Sequence, residues 1–106
     1  MNTNHFAWPG RLRDNPAHDL ITAYLTLDIQ KNPQWSEELL RKTREVKSGQ
    51  IPSWERIGNA YCLRVFPDHV EIEEDYAEEP GEPVKISLDD FEAAAAAWRE
   101  FVDQQT

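Results

Sequence analysis

YCLRVFPDHVEIEED, residues 61–75, carries the strand signal that decides the fold. Tyr61, Leu63 and Val65 alternate with Cys62, Arg64 and Phe66, the period of two expected of a half-buried strand. Pro67 and Asp68 supply a turn. The alternation resumes from His69 to Asp75, with Val70 and Ile72 on one side and Glu71 and Glu73 on the other. Two such runs joined by a short turn form an antiparallel hairpin.

Downstream, residues 78–83 contain Pro80-Gly81 and read as a loop. Val84, Ile86 and Leu88 alternate again, which predicts a third strand over residues 84–88. Ser87 or Asp89 then opens a helix, since Ser87 and Asp90 form a Ser-x-x-acid variant of the capping box. Phe91, Ala94, Ala95, Trp98, Phe101 and Val102 follow at helical spacing. Five alanines raise helix propensity and permit close packing on a sheet.

Upstream, residues 34–47 read as a helix. Ser36 is the expected N-cap, Leu39, Leu40, Thr43 and Val46 form the apolar face, and Arg41, Lys42, Arg44 and Lys47 crowd the later turns. Gly49 fits the stop. Asn15-Pro16 marks an earlier helix start, followed by the stripe Leu20, Tyr24, Leu27. A strand competes over residues 25–29, where Leu25, Leu27 and Ile29 alternate, but the start signal is specific and favours helix. Asn32-Pro33 is expected to end that helix. Residues 54–65 read as extended only after Gly58. Phe6, Trp8 and Leu12 alternate loosely around Pro9 and Gly10, so residues 1–14 are irregular or an edge strand. The expected fold is α+β: a helical hairpin, then a small antiparallel β-meander, then a C-terminal helix packed on the sheet, as one domain over residues 1–106.

The chain has 106 residues, 40% of them hydrophobic, which suffices for one modest core. No apolar run approaches a bilayer span, and the first ten residues lack a basic segment followed by an apolar one. A cytoplasmic location is therefore expected, and the single cysteine, Cys62, fits a reducing compartment. Charge is uneven. Residues 1–53 hold six acids and seven bases, whereas residues 54–106 hold fourteen acids and four bases, so the second half carries −10 of the net −9. Direct nucleic-acid binding is disfavoured, because phosphates need cationic partners. An acidic face suits a basic protein partner, although acidity also serves solubility alone.

No catalytic constellation is specific. His5, His18 and His69 stand in no metal-ligand spacing with each other or with Cys62. Cys62 reads as a small buried hydrophobe on a strand. Gly58-Asn59 is not a phosphate loop, and Glu73-Glu74-Asp75 lacks the spacing of a calcium loop. No cofactor, no metal and no enzymatic activity are expected. What remains is the run DHVEIEEDYAEEPGE, residues 68–82, without lysine or arginine. Asp68, Glu71, Glu73, Glu74, Asp75, Glu78 and Glu79 surround Tyr76, an aromatic anchor ringed by acids. These eight residues are the candidate partner-binding surface. The alternative is that they are charges on a sheet edge that prevent edge-to-edge pairing.

Residues 19–30 (DLITAYLTLDIQ), Trp35, Glu38-Leu39-Leu40, residues 46–49 (VKSG), 53–61 (SWERIGNAY) and 87–102 (SLDDFEAAAAAWREFV) together resemble the small YacL-like proteins of bacteria. They also resemble immunity proteins encoded beside contact-dependent growth inhibition toxins. The most distinctive parts are Trp54-x-x-x-Gly58-Asn59-x-Tyr61 and the Phe91–Trp98–Phe101 helix, neither of them catalytic. The immunity resemblance implies a cytoplasmic protein that binds a cognate basic toxin domain, commonly a nuclease, and blocks its active site. The YacL-like resemblance implies instead a cytoplasmic adaptor for a basic protein partner.

Overall fold

A computed structural model describes residues 8, 10–12, 14–74 and 84–104. The fold is α+β, with helices, an antiparallel meander and a C-terminal helix packed on the sheet. Helix α1 spans Pro16–Tyr24 and runs into a π-helical turn, Leu25–Ile29; α2 spans Pro33–Lys47. Strands β1 (Trp54–Ile57), β2 (Tyr61–Val65), β3 (Val70–Glu74) and β4 (Val84–Ile86) follow, then α3 (Leu88–Gln104). All neighbouring strands pair antiparallel in the order β1-β2-β3-β4.

Local chemistry explains the helix ends. Asn15 Oδ1 accepts from the amides of Ala17 (3.0 Å) and His18 (3.1 Å), with Pro16 at the first helical position. At the far end the Gln30 amide reaches back to Leu25 O at 2.7 Å, and Gln30 adopts φ 61°, which stops the helix. Asn32-Pro33 is therefore the start of α2 and not the stop of α1: Asn32 Oδ1 accepts from the Trp35 amide at 3.0 Å. Ser36, the expected cap, lies inside the helix, buried, its hydroxyl donating to Asn32 O at 2.9 Å. Asn precedes Pro in both places, so the same dipeptide opens both helices. Gly49, at φ 83°, closes α2 with paired bonds, Gly49 N to Val46 O (3.1 Å) and Gln50 N to Glu45 O (2.9 Å). At the start of α3 the Ser87 hydroxyl accepts from the Asp90 amide at 3.3 Å, as the capping pattern predicts.

A fourth strand, β1, joins the expected three, and the strand after the loop ends at Ile86. Two rows of the ladder face the helices: Trp54–Val65–Val70–Ile86 and Arg56–Leu63–Ile72–Val84. Leu63, Val65, Val70 and Ile72 are at most 1% exposed and pack with Tyr24, Phe91, Ala94, Ala95 and Trp98 in one core. The largest helix–helix interface is α2 against α3. Lys47 Nζ clasps Glu92 (2.7 Å) and Asp89 (3.0 Å) across it, and Arg44 Nε reaches Glu92 at 3.2 Å. The Glu92 carboxyl is held below its usual range chiefly by the hydrogen bond from Lys47. No described helix is long and apolar enough to cross a membrane.

Candidate partner-binding face

The sheet face turned away from the core carries the opposite rows. One rung runs Glu55–Arg64–Glu71–Lys85 across all four strands, alternating in sign. Opposite charges on directly facing positions stabilise a sheet and fix its register. The next rung is Ile57–Cys62–Glu73.

Of the eight candidate residues four are described, and two of them, Glu71 and Glu73, lie on this face, whereas Glu74 stands opposite the core residue Tyr61. Asp68 is exposed in the β2–β3 turn, Glu71 and Glu73 project from β3, and Glu74 ends the strand in solvent. Asp75, Tyr76, Glu78 and Glu79 lie outside the described residues. β3 is an inner strand between β2 and β4, so its acids do not guard a sheet edge. Nor is the acidic run bare. His69 bridges Asp68 and Glu71, both at 2.8 Å, with its ring stacked on Phe66 at 4.9 Å. Arg64 Nε contacts Glu55 at 3.0 Å, and its Nη2 lies 3.5 Å from Glu73. His69 belongs to the run itself, whereas Arg64 comes from the neighbouring strand β2 and so does not show in the run.

The imidazole of His69 is pushed above its usual range, first by the hydrogen bond to Glu71 and then by that to Asp68. The Asp68 carboxyl is held below its usual range by His69. Because the folded value of His69 is raised, its contribution to stability is complete below about pH 6.5 and is lost as pH rises through the folded value. The Asp68 contribution has the opposite sense: present above about pH 3.9, lost as pH falls through the lowered value. A nuclear magnetic resonance titration should give His69 a midpoint above that of a model peptide, and Glu71→Gln should move it down. An unmoved midpoint in Glu71→Gln would show that Glu71 does not hold the proton.

Cys62 is 6% exposed, with Sγ 3.6 Å from Glu55 Oε2. Burial pushes its thiol up, with Glu55 adding to the effect, so it stays a neutral packed group. Among the described residues no group of three or more His, Cys, Asp or Glu could hold a metal ion.

Two buried polar nodes escaped the sequence reading. The side chain of Asp28, in a residue only 1% exposed, accepts the amides of Ala60 (2.9 Å) and Tyr61 (3.0 Å) and so ties the π-helical turn to the β1–β2 hairpin. A Cβ at Gly58 would overlap this carboxylate, so glycine is required there for close approach. Gly58→Ala should therefore cost about 1–3 kcal/mol in chemical denaturation; an unchanged midpoint would show that Asp28 can yield. Arg56 lies beside the same hairpin with its guanidinium 5.2 Å over the Trp35 ring. The second node is His18, 4% exposed, whose Nδ1 accepts from the Leu12 amide at 2.9 Å while Nε2 meets Asp90 at 3.0 Å. Neither shows in spacing, because each acts on groups distant in sequence.

No family model, curated protein or solved structure matches the chain.

Proposed function

We propose that the chain is an immunity protein that binds a cognate cationic toxin domain in the cytoplasm and occludes its active site. A nuclease fits best, since a site that attracts phosphate is itself basic. The observation that carries this reading is the position of the acids. Glu71 and Glu73 stand on the sheet face turned away from the core, with Asp68 exposed in the adjoining turn and Glu74 exposed at the end of β3, in a half-chain holding fourteen acids and four bases. Asp75, Tyr76, Glu78 and Glu79 join this proposed set on the ground of sequence alone. The acid–base rung leaves an excess of carboxylate, and the resemblance to immunity proteins points the same way. Close charge pairs in such complexes couple by roughly 1.5–7 kcal/mol, and complementary fields speed the encounter.

The test is to mix the purified protein with the domain encoded by the adjoining gene. A complex at low salt that weakens as salt rises, with loss of the toxin's activity, is the expected result. Absence of a complex at low salt, together with no protection of cells, would sink the proposal. Replacing Glu73, Glu74 and Asp75 by lysine should weaken binding about tenfold or more while the circular dichroism spectrum stays unchanged. Unfolding of that variant would make the acids structural instead.

A further inference from the structure

The most exposed large apolar side chain among the described residues is Ile57, at 69%. A single exposed isoleucine needs no explanation by itself. Its surroundings give it one. Ile57 stands on the outer sheet face, opposite Cys62, which stands opposite Glu73. Two strand spacings, about 10 Å, separate Ile57 from Glu73, with the nearly buried Cys62 forming a low floor between them.

The charge around this floor is unbalanced. Arg64 serves two carboxylates and lies nearer Glu55 (3.0 Å) than Glu73 (3.5 Å). The outer face thus holds three carboxylates, Glu55, Glu71 and Glu73, against two cations, Arg64 and Lys85. An occupant must therefore supply both apolar surface and positive charge. Lysine and arginine supply both, because their methylene stems cover apolar groups while the charged head reaches a carboxylate. A purely apolar partner would bury the Glu73 carboxylate with only the shared, 3.5 Å contact from Arg64, and a second copy of this chain would bring another −9 against it.

The geometry points to Ile57 as the apolar seat of the partner interface, on which a lysine or arginine stem of a cationic protein lies with its charge directed to Glu73. This rests on the neutralising function proposed above and adds to it a contact outside the eight acidic-run residues. The interface then has an apolar centre with an acidic rim, the arrangement in which a few side chains carry most of the affinity.

Calorimetric titration with the basic domain encoded by the adjoining gene tests it, using wild type, Ile57→Thr, Ile57→Val and Glu73→Gln. Threonine keeps the β-branch that favours the strand, so matching thermal melts will show that the fold is retained. Ile57→Thr should weaken binding about tenfold, and Ile57→Val should stay within about threefold of wild type. The double variant Ile57→Thr, Glu73→Gln should lose less than the two single losses combined, because one side chain contacts both. Wild-type affinity in Ile57→Thr, with affinity lost on lysine substitution of Glu73 and Glu74, would overturn the seat and leave the acidic face standing. No complex with the wild-type protein would overturn the neutralising function and the seat together.

Discussion

Asp28→Ala is expected to destabilise the domain by about 3 kcal/mol or more, measured by urea denaturation at neutral pH. Asp28 is 1% exposed, and its two oxygens accept separate backbone amides, Ala60 at 2.9 Å and Tyr61 at 3.0 Å. Bonds to a charged acceptor contribute about 1.5–3 kcal/mol each, and truncation leaves both donors without their partner. Domains of this size are stable by about 5–15 kcal/mol, so the loss is a large share of the total. The melting temperature should fall by about 12 °C or more. Asp28→Asn separates the contributions. It keeps the shape and one acceptor but turns an amide donor toward the second N–H, so an intermediate loss is expected. A change below about 0.5 kcal/mol in Asp28→Ala would mean that water satisfies these amides as well as the carboxylate does.

The same residue shows where sequence reasoning stopped. Asp28 sits between Leu27 and Ile29 in a stretch whose apolar neighbours dominate any periodicity. Its partners lie 32 and 33 residues downstream, and only the folded chain brings them together. The π-helical turn adds a further displacement that a strict 3.6-residue spacing does not anticipate. By contrast, the β2–β3 hairpin was legible because its alternation is clean and its turn carries Pro67. The last helix was legible because its cap and stripe agree.

β1 was hidden by inverted polarity. Arg56 is half-buried on the core side and Ile57 is in solvent, the reverse of what hydrophobic alternation requires. Arg56 is tolerated inward because its guanidinium lies over Trp35 at the sheet margin. The acidic face was legible in part for a related reason. Alternation alone puts Glu71 and Glu73 on the outer side of β3. Which cations oppose them depends on strand register, and register brings Arg64 and Lys85 opposite Glu71. The field over this face is thus weaker and more structured than a count of acids suggests. A rung of alternating charge crosses the sheet, and the excess carboxylate of this face lies at Glu73.

Trp98→Ala should cost about 3–5 kcal/mol. Trp98 is 3% exposed, packs against Phe101 at 5.2 Å and donates its indole N–H to Gln30 O at 2.8 Å. Truncation therefore does two things. It opens a cavity between α3 and the rest of the core, and it strands the carbonyl at which the first helix stops. The two are separable. Trp98→Phe keeps most of the apolar volume and removes the donor, so its loss should be about 1–2 kcal/mol, of which about 1 reflects the hydrogen bond. If Trp98→Phe costs as much as Trp98→Ala, the bond to Gln30 is the anchor and volume matters little. If Trp98→Ala falls within measurement error of wild type, α3 does not close the core at this position. The expected order, alanine well below phenylalanine and phenylalanine modestly below wild type, would show that α3 is held first by burial. The indole then sets how α3 meets the end of the π-helical turn, and with it the position of Asp28 beneath the hairpin that carries Ile57.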